Sequence, residues 1–155
     1  MILLSIDLGL KAGLAWFQDD GQLIRCRSAN FPNMGTLKKA IPVILDEIKP
    51  LTHLVIEGGG TIAKHWINAA EKRSLAIMQT TAETWREQLL WQRERRTGLQ
   101  AKQYALNLAY RLLKANNLRS ATPISDDTAE AVLCGIWALN QLNIIKLNRE
   151  EIARL

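Results

Sequence analysis

Cysteine and histidine are scarce in this sequence, with two residues of each among 155. Cys26 and Cys134 lie far apart and in apolar surroundings, which is typical of a reduced, cytoplasmic protein rather than a disulfide-stabilised one. His53 and His65 are isolated, so no Cys/His cluster has the spacing of a zinc site. Any metal site in this chain is therefore expected to use oxygen ligands.

Long apolar runs, repeats and linkers are also missing. The longest late apolar run, residues 131–139, is too short to span a bilayer. Asp7 interrupts the first apolar run too early for a signal peptide. Because hydrophobic residues make up 48% of the sequence, we expect residues 1–155 to form one domain with a sizeable core and no membrane partner.

Two common catalytic loops are absent as well. The three glycines at 58–60 are not followed by the Lys-Ser/Thr pair that a phosphate-binding P-loop requires. No Gly-x-Ser-x-Gly sequence is present to form the nucleophile turn of a serine hydrolase. Both enzyme classes are therefore disfavoured.

An acidic residue ends the first predicted strand. Residues 2–6 form an apolar run that predicts a buried strand, and Asp7 follows it. A second run, residues 12–17, is joined by an Asp-Gly turn to a third, about residues 22–29, which predicts antiparallel hairpins. A carboxylate at the end of a buried strand needs a cation or a donor, but Asp beside Gly also commonly caps a turn. This stretch alone leaves both roles open for Asp7.

The next predicted strand ends in the same way. Apolar residues recur every three or four positions from 36 to 49 and predict a helix, although Pro42 lies inside it. Residues 53–57 then form a short apolar strand that ends at Glu57. A strand that follows a crossover helix is parallel to the strand before it, so Glu57 can lie beside Asp7.

The remaining pattern alternates helices with one more strand. In order, we predict a helix at 61–73, a strand at 75–81, a helix at 82–91, a basic loop at 92–98, a helix at 99–116, a connection at 116–123 and a helix from 125 to about 140. The expected fold is α/β, with a five-stranded mixed sheet of three antiparallel and then two parallel strands, flanked by helices.

Three acids open the last predicted helix. Asp126, Asp127 and Glu130 follow Ser125, and acids at a helix start are favoured by capping and by the helix dipole. The spacing of Asp127 and Glu130 fits a capping box. The same spacing also places both carboxylates on one face of a helix whose remainder is almost entirely apolar. A structural cap and a ligand pair are both consistent with these residues.

Asp7, Glu57, Asp127 and Glu130 together predict a metal centre. Four clustered carboxylates repel one another unless cations neutralise them. Oxygen ligands suit Mg²⁺, or Mn²⁺ as a substitute, and two such ions can activate water for phosphodiester hydrolysis.

The positive charge is concentrated in one region. The chain carries a net charge of +5, and residues 1–60 are balanced, but residues 85–119 hold eight basic side chains against two acidic ones. The basic residues of this region are Arg86, Arg93, Arg95, Arg96, Lys102, Arg111, Lys114 and Arg119. Such a region favours a polyanionic partner. The predicted phosphate contacts are Arg93, Arg95 and Arg96, with Lys102, Lys64 and Lys11 as weaker candidates.

These residues resemble a known family. The order Asp7-x-Gly9, a strand ending in Glu57 and a late Asp127-x-x-Glu130 resembles the RNase H-like fold and, more narrowly, the RuvC-type Holliday junction resolvases. The resemblance covers about residues 1–142, and stretches such as IDLGLKAGLAW, VIEGGG, AETWREQLL and DDTAEAV look closest to small RuvC-like proteins of cyanobacteria.

The resemblance implies a homodimeric endonuclease with two Mg²⁺ ions that cuts four-way DNA junctions by paired nicks. Its catalytic metal ligands would be Asp7, Glu57, Asp127 and Glu130, with Asp126 as an adjacent acid that fits the pattern less well. The sequence departs from bacterial RuvC at Leu8, where proline is usual, and in the triglycine loop, which lacks an aromatic wedge. His65 and Trp66 follow that loop and are candidates to stack on bases, although Trp66 is equally consistent with the core.

Two alternatives keep the same fold. One is an RNA-processing nuclease like the YqgF family, which shares the acids and the size. The other is a non-catalytic nucleic-acid-binding module, which the complete set of acids disfavours.

Overall fold

The computed structural model describes residues 1–118 and 123–154. Arg119 and half of the predicted 116–123 connection, residues 119–122, therefore lie outside the described residues. The strands are β1 (Ile2–Asp7), β2 (Lys11–Gln18), β3 (Leu23–Asn30), β4 (Leu51–Glu57) and β5 (Ala76–Thr80). The helices are α1 (Met34–Leu45), α2 (Gly60–Glu71), α3 (Ala82–Leu89), α4 (Gly98–Ala115), α5 (Asp126–Gln141) and α6 (Arg149–Ala153).

The five strands form one mixed sheet in the order β3-β2-β1-β4-β5. The pairs β1–β2 and β2–β3 are antiparallel, whereas β1–β4 and β4–β5 are parallel. This confirms the predicted α/β architecture of three antiparallel strands followed by two parallel ones. The Asp-Gly hairpin is confirmed too, with Gly21 at φ +85°, a conformation that glycine adopts readily.

Helices cover both faces of the sheet. Because side chains alternate along a strand, Leu4 and Ile56 pack with α1 and α2 on one face. Leu3 and Val55 pack on the other face with α3, α4 and α5. Asp7 and Glu57 follow Leu3 and Val55 in this alternation, so they belong to the α5 face.

Helix α5 approaches the sheet very closely at two glycines. A Cβ atom on Gly13 of β2 would lie 1.8 Å from the backbone oxygen of Asp127, and one on Gly135 would lie 2.2 Å from the ring of Phe17. Both distances are far shorter than any van der Waals contact. The absence of side chains at these positions therefore allows α5 to rest directly on β2, both at its first turn and at Gly135.

Several predicted boundaries differ from the structure by a few residues. Helix α1 begins at Met34 because the Asn33 side chain accepts a hydrogen bond from the Thr36 N–H, and it ends at Leu45. Pro42 lies inside this helix without ending it. The predicted basic loop contains a 3-10 turn, Gln92–Glu94, in which Glu94 accepts a hydrogen bond from the Trp91 N–H. Within the described part of the chain, no helix is both long and apolar enough to cross a membrane.

Candidate metal centre

Asp7 and Glu57 are direct neighbours at the ends of two parallel strands. The register of β1 and β4 pairs Ile6 with Ile56 and Asp7 with Glu57. The Leu8 N–H continues this pairing by donating to the Glu57 carbonyl at 3.1 Å. Paired residues of a sheet present their side chains on the same face, so the predicted juxtaposition of the two acids is found in the structure.

The third acid comes from the start of α5. The hydroxyl of Ser125 accepts a hydrogen bond from the Thr128 N–H at 3.2 Å and caps the helix. The alternative in which Asp127 caps the helix is therefore wrong, because Asp127 is already the second helical residue. Glu130 lies one turn further along and is only 7% exposed. The close contact of α5 with β2 brings Glu130 to the two strand-end acids.

Asp7, Glu57 and Glu130 converge on one point. One carboxylate oxygen from each lies within 4.8 Å of the others, which is close enough for the three to hold a metal ion. Glu57 is also only 7% exposed. All three donors are carboxylate oxygens, and such a set fits Mg²⁺ or Mn²⁺ better than softer metals.

The charges of this cluster oppose one another in the absence of a cation. Burial, together with the charges of Glu57, Glu130 and Asp127, raises the pKa of Asp7 to about 8, and a hydrogen bond with Glu130 adds to the shift. Burial also raises the pKa of Glu57 to about 7, although the Trp85 hydrogen bond and the Arg86 charge act in the opposite direction. Perturbed carboxyl groups of this kind are typical of functional sites.

Asp127 stands beside the cluster rather than within it. Its Oδ2 lies 3.6 Å from Nζ of Lys11, in the turn after Asp7. The structure thus brings three of the four predicted ligands together, and the fourth faces a lysine that is itself a predicted phosphate contact. Asp126 is exposed.

Trp85 and Arg86 are site residues that the sequence patterns do not reveal. Trp85 has an apolar position in the helix predicted at 82–91, which favours the core, and Arg86 counts with the basic region. In the structure, Trp85 Nε1–H donates to Glu57 Oε2 at 2.6 Å, and Arg86 donates to Glu130 Oε1 at 2.6 Å. The sequence offers one signal for their role. Both residues lie in the helix that follows the last strand, and that helix begins at the edge of the sheet where the acids lie.

The predicted nucleic-acid contacts are spread over the surface. Lys11, Lys64, Arg93, Arg96 and Lys102 are exposed, and Arg95 is half-buried. Lys64 lies in the first turns of α2, the helix that follows β4 and Glu57.

Arg93 and Trp66, two of the candidates from the sequence, lie in different surroundings: Arg93 is exposed beside a cavity, and Trp66 is in the core. Arg93 lines a cavity with Tyr104, Arg111 and Arg149, and none of the four acids lines that cavity. Trp66 is fully buried, which settles its position in favour of the core, while His65 is half-buried.

Comparisons with known proteins assign no family to this chain. No family model matches it, and no curated protein is significantly similar. Among solved structures, a ROK family protein from Streptococcus pneumoniae TIGR4, in complex with sucrose, aligns with a TM-score of 0.41 and 15% identity over 74% of this chain and 39% of that one. A chain of the simian T-cell lymphotropic virus intasome in complex with PP2A regulatory subunit B56 gamma aligns with a TM-score of 0.31 and 14% identity over 86% of this chain and 46% of that one. The chain thus spans less than half the length of either structure, and neither distant likeness assigns a function.

Proposed function

We propose that this chain is a Mg²⁺-dependent DNA endonuclease of RNase H-like fold that resolves four-way junctions, as its resemblance to RuvC-type resolvases implies. The observation that carries the proposal is the convergence of Asp7, Glu57 and Glu130 from three separate segments of the chain within 4.8 Å. Their order along the chain, and the strand-strand-helix elements that present them, are those that the resemblance requires.

The acids are the residues that would hold the metal. Asp7, Glu57 and Glu130 supply the converging oxygens, and Asp127 lies next to them within reach of Lys11. Two divalent cations, when bound, supply activation of water and stabilisation of the leaving oxygen in phosphodiester hydrolysis. Lys11 lies within ion-pair distance of Asp127 and is mostly exposed, so it can hold a substrate phosphate beside the acids.

The basic region supplies the attraction for a polyanion. Among its side chains, Arg93, Arg96 and Lys102 are exposed, so their charges are available to phosphates. Cutting two strands of a junction symmetrically requires two active sites, so the proposal includes a homodimer.

Cleavage of a substrate panel tests this function. A four-way DNA junction, a linear duplex of the same sequence and a structured RNA are incubated with the protein in Mg²⁺ and in EDTA. We expect symmetric nicking of the junction in Mg²⁺ and no cleavage in EDTA. Preferential cleavage of the RNA would favour the YqgF-like alternative, and junction binding without cleavage of any substrate would favour the non-catalytic module.

A further inference from the structure

Two consecutive residues of α3 contact two different acids of the cluster. Trp85 donates its indole N–H to Oε2 of Glu57, and Arg86 donates to Oε1 of Glu130, each at 2.6 Å. Glu57 ends a strand, whereas Glu130 lies on α5. Successive helical side chains point about 100° apart, so this dipeptide can bridge two acids that come from separate elements.

Both contacts are shielded from solvent. Trp85 is fully buried, and the side chains of Arg86 and Glu130 are 19% and 10% exposed. The Arg86 guanidinium also lies over the Trp85 ring, with its Cζ 5.2 Å from the ring centroid. Hydrogen bonds to buried carboxylates are strong and directional, and the stacking keeps the two donors in a fixed relation to each other.

Other tryptophans of the described chain are buried in this fold without a hydrogen-bond partner for the indole N–H, unlike Trp85. Within the described residues, the buried indole N–H groups of Trp16, Trp66 and Trp137 have no hydrogen-bond partner in the protein. Three indoles are thus buried here without one, whereas the indole of Trp85 meets a carboxylate of the acid cluster. This contrast points to a role for Trp85 in orienting Glu57 in addition to filling the core.

We propose that Trp85 and Arg86 are positioning residues of the metal centre, each engaging one oxygen of a glutamate and leaving the other oxygen for a divalent cation. This inference rests on the proposed function. A carboxylate has two oxygens, so a donor on one of them fixes the rotation of the group and favours binding of a cation through a single oxygen. Partners that orient metal ligands in this way commonly change metal affinity by about 10-fold to 100-fold.

Mn²⁺ binding by matched variants tests the inference. Trp85→Phe removes the indole donor, and Arg86→Gln replaces the charged guanidinium with a shorter, neutral amide. Trp66→Phe removes a buried indole that has no partner, and Arg73→Gln removes an arginine that binds Asp46 at 3.1 Å elsewhere on the surface. Calorimetric titration of the full chain should give a Mn²⁺ dissociation constant raised about 10-fold or more in the first two variants and within about twofold of wild type in the controls.

If Trp85 and Arg86 served only packing, their variants would lose folding stability, and the loss of Mn²⁺ affinity would not depend on the donor. Thermal unfolding in EDTA reports folding separately, and Arg86→Lys, which keeps a charged donor, should recover part of the affinity. If Trp85→Phe fails to fold, the two Arg86 variants carry the test, because the Arg86 side chain is 19% exposed whereas Trp85 is fully buried. Junction cleavage by Arg86→Gln should also recover as the Mn²⁺ concentration is raised, which a loss of packing alone would not produce.

The outcomes separate this inference from the function on which it rests. If wild type binds Mn²⁺, Asp7→Asn does not, and the Trp85 and Arg86 variants bind as wild type does, the positioning role is overturned while the metal centre stands. If wild type binds no Mn²⁺, or Asp7→Asn binds it equally well, the metal centre itself is refuted and the positioning role with it.

Discussion

The carboxyl group of Asp7 is held in surroundings that disfavour its ionisation. Its pKa is raised from 3.8 to about 8 by burial and by three neighbouring acids. Between these two pH values the folded protein retains a proton that the unfolded chain releases, so rising pH favours unfolding. The contribution of Asp7 to the free energy of unfolding is therefore most favourable below pH 3.8 and is lost as the pH rises to about 8.

A pH series of thermal unfolding in EDTA checks this prediction. The melting temperature of wild type relative to Asp7→Asn should fall between pH 5 and pH 8, because asparagine has no proton to lose. A shift of even one pKa unit corresponds to about 1.4 kcal/mol, which is measurable for a chain of this size. Parallel pH profiles for the two proteins would contradict the raised pKa of Asp7.

At the level of elements, the contact of α5 with β2 determines where Glu130 lies. Gly13→Ala would place a Cβ atom 1.8 Å from the Asp127 backbone oxygen, so we expect the start of α5 to be displaced. Overpacking of this kind costs about 1–3 kcal/mol of unfolding free energy, and metal binding should weaken as well. Urea unfolding and Mn²⁺ titration measure the two effects.

Gly98→Ala is the matched control for that substitution. Nothing lies within 4 Å of a Cβ atom at Gly98, which is the first residue of α4. Alanine is also the better helix former, so this variant should be as stable as wild type or slightly more so. Equal destabilisation by the two substitutions would argue against the close packing of α5 on β2.

The elements themselves can be predicted from the sequence because their signals are local. Apolar runs ending in Asp7 and Glu57 identify two strands, and the crossover rule places them side by side. The role of Gly13 could not be predicted, because it depends on contact with Asp127, 114 positions away. The sequence pattern places Trp85 in the core, which is right for its ring, but no local pattern indicates that its N–H meets a carboxylate.

At the level of the whole molecule, the acids and the predicted phosphate-binding arginines lie on different elements. Arg93 and Arg96 belong to the segment between α3 and α4 and are exposed. If they bind DNA phosphates, Arg93→Ala/Arg96→Ala should reduce the slope of log affinity against log salt by about 0.9 for each phosphate that is no longer neutralised. Junction binding measured from low to moderate salt gives this slope.

Lys38→Ala/Lys39→Ala removes the same charge from the other side of the sheet. Both lysines are exposed on α1, so this variant controls for a general loss of positive charge. An equal change of slope in the two double variants would mean that Arg93 and Arg96 are not specific contacts.

Whether the acid cluster is a metal centre for phosphodiester hydrolysis is decided by the behaviour of Asp7→Asn on a four-way DNA junction. The substitution keeps the size of the side chain and removes one charge from the point where Asp7, Glu57 and Glu130 converge. Cleavage and binding of a four-way DNA junction are measured in Mg²⁺ for wild type and for the variant. We predict that wild type makes paired nicks and that Asp7→Asn binds the junction without cutting it. Cleavage of the junction by Asp7→Asn at the wild-type rate would mean that the acid cluster is not the hydrolytic metal centre.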